Sequence, residues 1–235
     1  MAKTFSILLV IFLIGPLAIS QESEPQSTFD DKYLEDQFYV GVGYNFLLDK
    51  PESVFQRNLS YNLQLGIIKD IPLNKRRNFG FGIGLGYATN SYYTNVLAIE
   101  SNGAVQYRLA DSEENFDRSK LETHALEFPF EIRWRTSNPV DYKFWRIHAG
   151  FKVEYLFSKR SKLVAEDLAM FSGNTTFSNP NIEQWQYGVM LNFGYNTWNL
   201  HLYWTLSDFL DEKALFDNET LTITPLRIGV IFYIL

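Results

Sequence analysis

The chain has 235 residues, with 27 Asp and Glu against 21 Lys and Arg, a formal net charge of −6 and no cysteine. An acidic chain without a basic stripe cannot grip a phosphate backbone, which excludes a nucleic-acid partner. Without cysteine there are no disulfides, no thiolate metal sites and no lipid attached through a cysteine, so an exported form must be held by its own hydrogen-bonded architecture.

Met1 to Ser20 carries Lys3, the apolar run Phe5 to Ile14, then Gly15-Pro16 and Ala18-Ile19-Ser20. The run is too short to span a bilayer, and small residues stand at the two positions a signal peptidase reads. Residues 1–20 are therefore expected to be a signal peptide cut after Ser20. Residues 21–36 are polar and read as a periplasmic N-terminal segment. Residues 37–235 form one all-β domain, since no linker or repeated block divides them.

Eight segments then alternate with a period of two, which no helix can produce. In Gln37 to Phe46, Phe38, Val40, Val42, Tyr44 and Phe46 oppose Tyr39, Gly41, Gly43 and Asn45. Asn58 to Ile68 sets Leu59, Tyr61, Leu63, Leu65 and Ile67 against Ser60, Asn62, Gln64 and Gly66. Phe79 to Ala88 reads Phe-Gly-Phe-Gly-Ile-Gly-Leu-Gly-Tyr-Ala, with bulk on one face and almost nothing on the other. Leu121 to Trp134 places Leu126, Phe128, Phe130, Ile132 and Trp134 opposite Glu127, Pro129, Glu131 and Arg133. Phe144 to Phe157 opposes Trp145, Ile147, Phe151, Val153, Tyr155 and Phe157 to Arg146, His148, Gly150, Lys152 and Glu154. Ile182 to Tyr195, Trp198 to Leu206 and Pro225 to Leu235 repeat the alternation.

Period alone does not separate a membrane barrel from a soluble one, but three features do. The segments, even in number and about the 9–11 residues a tilted membrane strand needs, favour a barrel, and their bulky face has almost no charge, whereas Arg, Lys, Glu and Asn share the other face with glycine. Aromatics recur near strand ends on the bulky face, at Phe46, Phe79, Tyr87, Trp134, Trp145, Tyr155, Trp185, Tyr195, Trp198 and Trp204, as interfacial girdles require. Connections also alternate: long at Leu47 to Arg57, Thr89 to Lys120, Ser158 to Asn181 and Ser207 to Thr224, short at Lys69 to Asn78, Arg135 to Lys143 and Asn196-Thr197. The expected fold is an eight-stranded antiparallel up-and-down transmembrane β-barrel in the cell outer membrane, with lipid as its first partner.

The chain end, with Arg227, Gly229, Phe232 and Ile234, resembles the C-terminal β-signal of bacterial outer-membrane proteins. That resemblance implies recognition by the outer-membrane insertion machinery. Leu126-Glu-Phe-Pro-Phe-Glu131, the following strand through Gly150 towards Tyr155, and the flanking pieces Asp70 to Asn78 and Tyr142 to Arg146 resemble the PorT-like outer-membrane β-barrels of Bacteroidota. The resemblance implies a structural or accessory envelope component supporting type IX secretion or gliding, with secretion or other envelope proteins as partners. A stand-alone receptor, adhesin or narrow small-solute channel is the alternative.

A barrel of eight strands is just wide enough for its own side chains, so general porin activity is disfavoured. Glu127, Glu131, Arg133, Arg146, His148, Lys152 and Glu154 are expected to form a paired lumen network, because unpaired buried charge is costly. Glu131 opposite His148 would put Glu127 opposite Lys152. No serine stands at a compelling spacing from His124, and His124, His148 and His201 lie on separate strands, so no catalytic residue, metal site or cofactor is assigned. Lys69, Lys75, Arg76, Arg77, Arg135 and Lys143 make the short turns basic, offset by Asp70 and Asp141. Two long loops are acidic, through Glu100, Asp111, Glu113, Glu114 and Asp117 and through Asp208, Asp211, Glu212, Asp217 and Glu219. These read as solvated loops, with cation or partner binding as the alternative.

Overall fold

A computed structural model describes residues 36–101, 103–109, 115–136, 144–168 and 171–234. The expected signal peptide, nearly all of the N-terminal segment, Asp111, Glu113, Glu114, Asp141, Lys143 and Leu235 lie outside the described residues. The strands are β1 (Asp36–Leu48), β2 (Tyr61–Pro72), β3 (Phe79–Thr94), β4 (Val96–Ser101), β5 (Ala104–Leu109), β6 (Asn115–Arg135), β7 (Trp145–Leu168), β8 (Phe171–Ser178), β9 (Trp185–Tyr195), β10 (Trp198–Thr205), β11 (Leu215–Phe216), β12 (Glu219–Thr220) and β13 (Thr224–Ile234). The order β6-β3-β2-β1-β13-β10-β9-β7, closed by β6 against β7, makes an eight-stranded barrel in which every neighbour is antiparallel. Closure leaves these eight strands no free edge.

The faces sort as the alternation demands. Phe38 is 62% exposed and Trp198 66%, and Val40, Leu65, Phe81, Ile132, Phe151, Leu191 and Ile234 also point outward, while Glu127, Arg133 and Glu154 are sealed inside. Aromatic pairs sit on the two rims of this apolar belt. At the short-turn rim, Trp145 packs against Tyr195 at 5.2 Å and Trp198 against Phe232 at 4.6 Å between ring centroids. Tyr155 meets Trp185 at 4.9 Å on the other rim.

Several strands run past the belt, further than the alternation predicts. β6 and β7 extend the ladder to Asn115 and Asp167, and β8 adds a strand inside what reads as a long loop. A register shift between His124 and Ala125 marks the passage. Below it the outward residues of β6 are Leu126, Phe128, Phe130, Ile132 and Trp134; above it they are His124, Glu122, Lys120 and Arg118. The inner face changes in the opposite sense, from Glu127 and Glu131 to Ala125 and Leu121.

The long connections consequently fold over a conventional apolar core. Leu47, Val54, Tyr92, Leu121, Leu156, Ile182, Phe209, Leu210, Phe216 and Ile223 are buried together there. The β4–β5 hairpin places Leu97 against Leu163 and Ala165 of the projecting β7. At the tip of β11–β12, Asp217 and Asn218 take φ of 51° and 65°, a left-handed pair that tight hairpins require and these short polar residues tolerate.

Candidate functional site: the charged lumen and its cap

The small residues of β3 make room for what fills the barrel. A Cβ on Gly82 would lie 2.6 Å from Arg133 Nε, and one on Gly86 1.8 Å from Tyr39 Oη, so the glycine face is the seat of two large side chains from other strands.

Seven residues were expected to form the network, and all seven are buried: Glu127, Glu131, Arg133, Arg146, His148, Lys152 and Glu154. They fall into two layers. In the layer nearer the cap, Lys152 Nζ donates to Glu127 Oε1 at 2.7 Å and to Gln64 Oε1 at 2.9 Å. Arg227 grips Glu154 with both terminal nitrogens, Nη2 to Oε2 at 2.7 Å, and its Nη1 lies 3.7 Å from Glu127 Oε1. Both cations lie over the ring of Tyr203, at 4.9 and 4.7 Å from its centroid. Charge-assisted forks of this kind hold ions that burial would otherwise penalise.

The second layer lies nearer the short turns. Arg133 Nε donates to Glu131 Oε2 at 2.8 Å and its Nη1 to Asp70 Oδ1 at 3.1 Å; Arg135 Nη2 reaches Asp70 Oδ2 at 2.5 Å. Glu131 Oε1 also accepts from Asn192 Nδ2 and Tyr233 Oη, each at 3.2 Å. Ile68 and Ile231, buried beside Tyr39 and Tyr233, lie between the layers. A void of about 10 Å³ remains between Tyr39, Gln64, Glu131, Lys152 and His201, room for about one water molecule.

The expected register is wrong by two residues. Glu131 stands opposite Gly150, Arg133 opposite His148, Pro129 opposite Lys152 and Glu127 opposite Glu154. The Glu127–Lys152 pair forms nonetheless, and His148 Nδ1 still comes to 3.5 Å from Glu131 Oε2, because side chains reach their diagonal neighbours. Arg146 departs from the expected pairing: no carboxylate is bound to it among the described residues, and its guanidinium lies 4.7 Å from the Phe144 ring centroid.

Asp70, Arg135 and Arg227 belong to the network although the first two read as turn residues and the third as part of the chain-end signal. Their parity could have placed them: Asp70 shares the face of Asn62 and Gln64, Arg135 that of Arg133, and Arg227 that of Gly229. Moving Asp70 and Arg135 inside leaves Lys75, Arg76 and Arg77 as the described cations of the short turn between β2 and β3. Of the chain-end residues, Gly229 pairs with Gly43, Phe232 with Val40 and Ile234 with Phe38 in the β1 ladder.

The three histidines stay apart. His124 Nδ1 lies 2.6 Å from Tyr87 Oη on the outer surface, and His201 Nδ1 2.6 Å from Asn192 Oδ1 in the lumen. Among the described residues no three His, Asp or Glu side chains gather as a metal site would need. Beside His124, burial pushes Glu122 up, but the hydrogen bond and charge of Lys120 outweigh it and hold the carboxyl below its ordinary range.

The cap carries a cleft of about 620 Å³ between the β10–β11 connection and the approach to β13. Glu183, Asp208, Asp211, Glu212 and Lys213 stand round it above Phe209 and Leu221. The second acidic loop is thus part of a folded surface, tied down by Glu183 N to Phe209 O at 3.0 Å and Asp211 N to Asn181 O at 2.7 Å.

Residues 19–211 match the family model described as an outer membrane protein beta-barrel domain. Among solved structures, Ail, the attachment invasion locus protein of Yersinia pestis, aligns at 10% identity over 85% of this chain and 98% of its own, with a TM-score of 0.36. Ail in complex with the heparin analogue sucrose octasulfate aligns at 12% identity over the same shares, with a TM-score of 0.38. A triple mutant of the Rhodopseudomonas blastica porin aligns at 10% identity over 85% of this chain and 99% of its own, with a TM-score of 0.20. No curated protein matches the chain.

Proposed function

The chain belongs to the outer membrane protein beta-barrel domain family, and from that premise we propose that it is a non-enzymatic, PorT-like accessory component of the envelope that supports type IX secretion or gliding. The observation that carries this reading is the combination of a lumen packed with buried, ion-paired side chains, with a void of about 10 Å³ beside Glu131 and Lys152, and a cap built on its own apolar core. A filled barrel serves as an anchor, and an ordered cap offers a partner a fixed surface. The long-loop end faces outward and the short turns with Lys75, Arg76 and Arg77 face the periplasm, in keeping with the loop asymmetry of such barrels. The C-terminal β-signal delivers the chain to the insertion machinery.

Two experiments test the proposal. A deletion strain should lose export of secreted proteins or surface gliding, and tagged barrel extracted in mild detergent should retain a stoichiometric envelope partner. Normal export and gliding, with recovery of the barrel alone, would sink it. The cleft of about 620 Å³ favours a second reading, a stand-alone receptor whose cap meets a small ligand, which a lone barrel in the same extraction would support.

A further inference from the structure

The buried charges of the described lumen do not balance. They comprise four carboxylates, Asp70, Glu127, Glu131 and Glu154, and five cations, Arg133, Arg135, Arg146, Lys152 and Arg227. Arg133, Arg135, Lys152 and Arg227 each touch a carboxylate. Arg146 touches no carboxylate among the described residues, although it is only 6% exposed, and its Nε is sealed without a hydrogen-bond partner.

Its surroundings make the imbalance worse. Across the ladder from Arg146 stands Arg135, also inward and buried, and the next inward pair is His148 opposite Arg133. Both ring nitrogens of His148 and Nη2 of Arg133 are buried without hydrogen-bond partners, His148 Nδ1 coming only to 3.5 Å from Glu131 Oε2, an oxygen already bound by Arg133 Nε. The Arg146 charge is softened by the rings of Phe144 and Tyr233, at 4.7 and 5.7 Å from its guanidinium carbon, and more remotely by Asp70, whose carboxylate is already held by Arg133 and Arg135. Like charges set directly across a ladder repel, and a guanidinium carries a planar fork of donors that matches an oxyanion. Among the described residues, the short-turn end of the lumen is therefore rich in donors and one negative charge short.

We infer that this end of the barrel binds an oxyanion, a phosphate or carboxylate group, with Arg146 as its principal ligand and Arg133 and His148 as further donors. The anion completes the charge balance of the described interior, and its ligands stand at the short-turn end of the β6–β7 ladder, away from the cap.

The test uses full-length protein folded in phosphate-free, uncharged detergent micelles and melted while tryptophan fluorescence is followed. Inorganic phosphate, acetate or chloride is added at constant ionic strength. Phosphate or acetate should raise the midpoint saturably by several degrees, and chloride should not. Arg146→Met should abolish the shift and melt, without anion, at or above the parent. Arg146→Lys keeps the charge but loses the fork, and should retain a weakened shift. Micelles doped with phosphatidylglycerol separate two sources of phosphate: loss of the free-phosphate response assigns the site to a lipid headgroup, and its retention to a soluble anion. Equal midpoints in all three salts, or an undiminished shift in Arg146→Met, overturn the inference. Should the Met variant not fold, equilibrium dialysis of labelled phosphate decides, since equal binding by the parent and Arg146→Lys, or binding by neither, would also overturn it.

Discussion

Lys152 and Glu127 meet on a diagonal: Nζ lies 2.7 Å from Oε1, although the residue directly across the ladder from Glu127 is Glu154. Two carboxylates face each other in a sealed layer, and Lys152 and Arg227 allow both to remain there. Breaking a buried pair strands its partner, so Lys152→Met should cost about 3–5 kcal/mol. The heat-resistant folded band on a gel should vanish at a lower temperature, and adding Glu127→Gln should restore much of the loss. An unchanged band in the single variant would mean that the pair contributes nothing.

Gly86→Ala places a methyl where Tyr39 Oη now lies, 1.8 Å from the ideal Cβ position. Overpacking of this kind costs about 1–3 kcal/mol. It should reduce the fraction that refolds into lipid vesicles. Tyr39→Phe removes the clashing oxygen along with its 3.4 Å contact to Glu127 Oε2, so the double variant should refold better than Gly86→Ala alone.

The boundary of the apolar belt can be located by substitution. Phe151 lies outward within the belt, and an arginine there should cost about 2–4 kcal/mol by urea unfolding in vesicles. Lys162 faces outward beyond the register shift, opposite Lys120, so Lys162→Gln should stay within about 0.5 kcal/mol. Comparable costs at both positions would place the membrane surface elsewhere.

Tyr107 in the cap is pushed up to about 12 by burial, against the opposing hydrogen bond from Asn179. A raised acid favours the folded state only while protonated. Its contribution is complete below the unfolded tyrosine value near 10 and is lost as pH climbs from there towards 12. Absorbance of tyrosinate should show a component titrating near 12 that disappears in Tyr107→Phe, and that variant should lose less stability over the same interval. A titration unaltered by Tyr107→Phe would refute the assignment.

Much of the barrel is legible because a strand's side-chain period is two and one face must tolerate lipid. Phe79 to Ala88 alone fixes both the strand and its empty inner face. The pairing of charges was less accessible: Glu127 and Lys152 could be placed on one inner surface, but the residues opposite them were displaced by two. The cap was hidden for another reason. Beyond His124 the polarity of both faces inverts, so β6 and β7 continue under a pattern that reads as loop when apolar-outward residues are the guide.

Parity along each segment determined the strand faces, the closed all-β architecture and the alternation of long and short connections, since these follow from local periodicity and the exclusion of bare polar groups from lipid. Only the folded barrel decided which charges meet, that Asp70, Arg135 and Arg227 join them, that Arg146 is left over, and that the long connections share an apolar core. Those depend on the stagger between neighbouring strands, which is set by closing the whole sheet on itself and is written in no single segment.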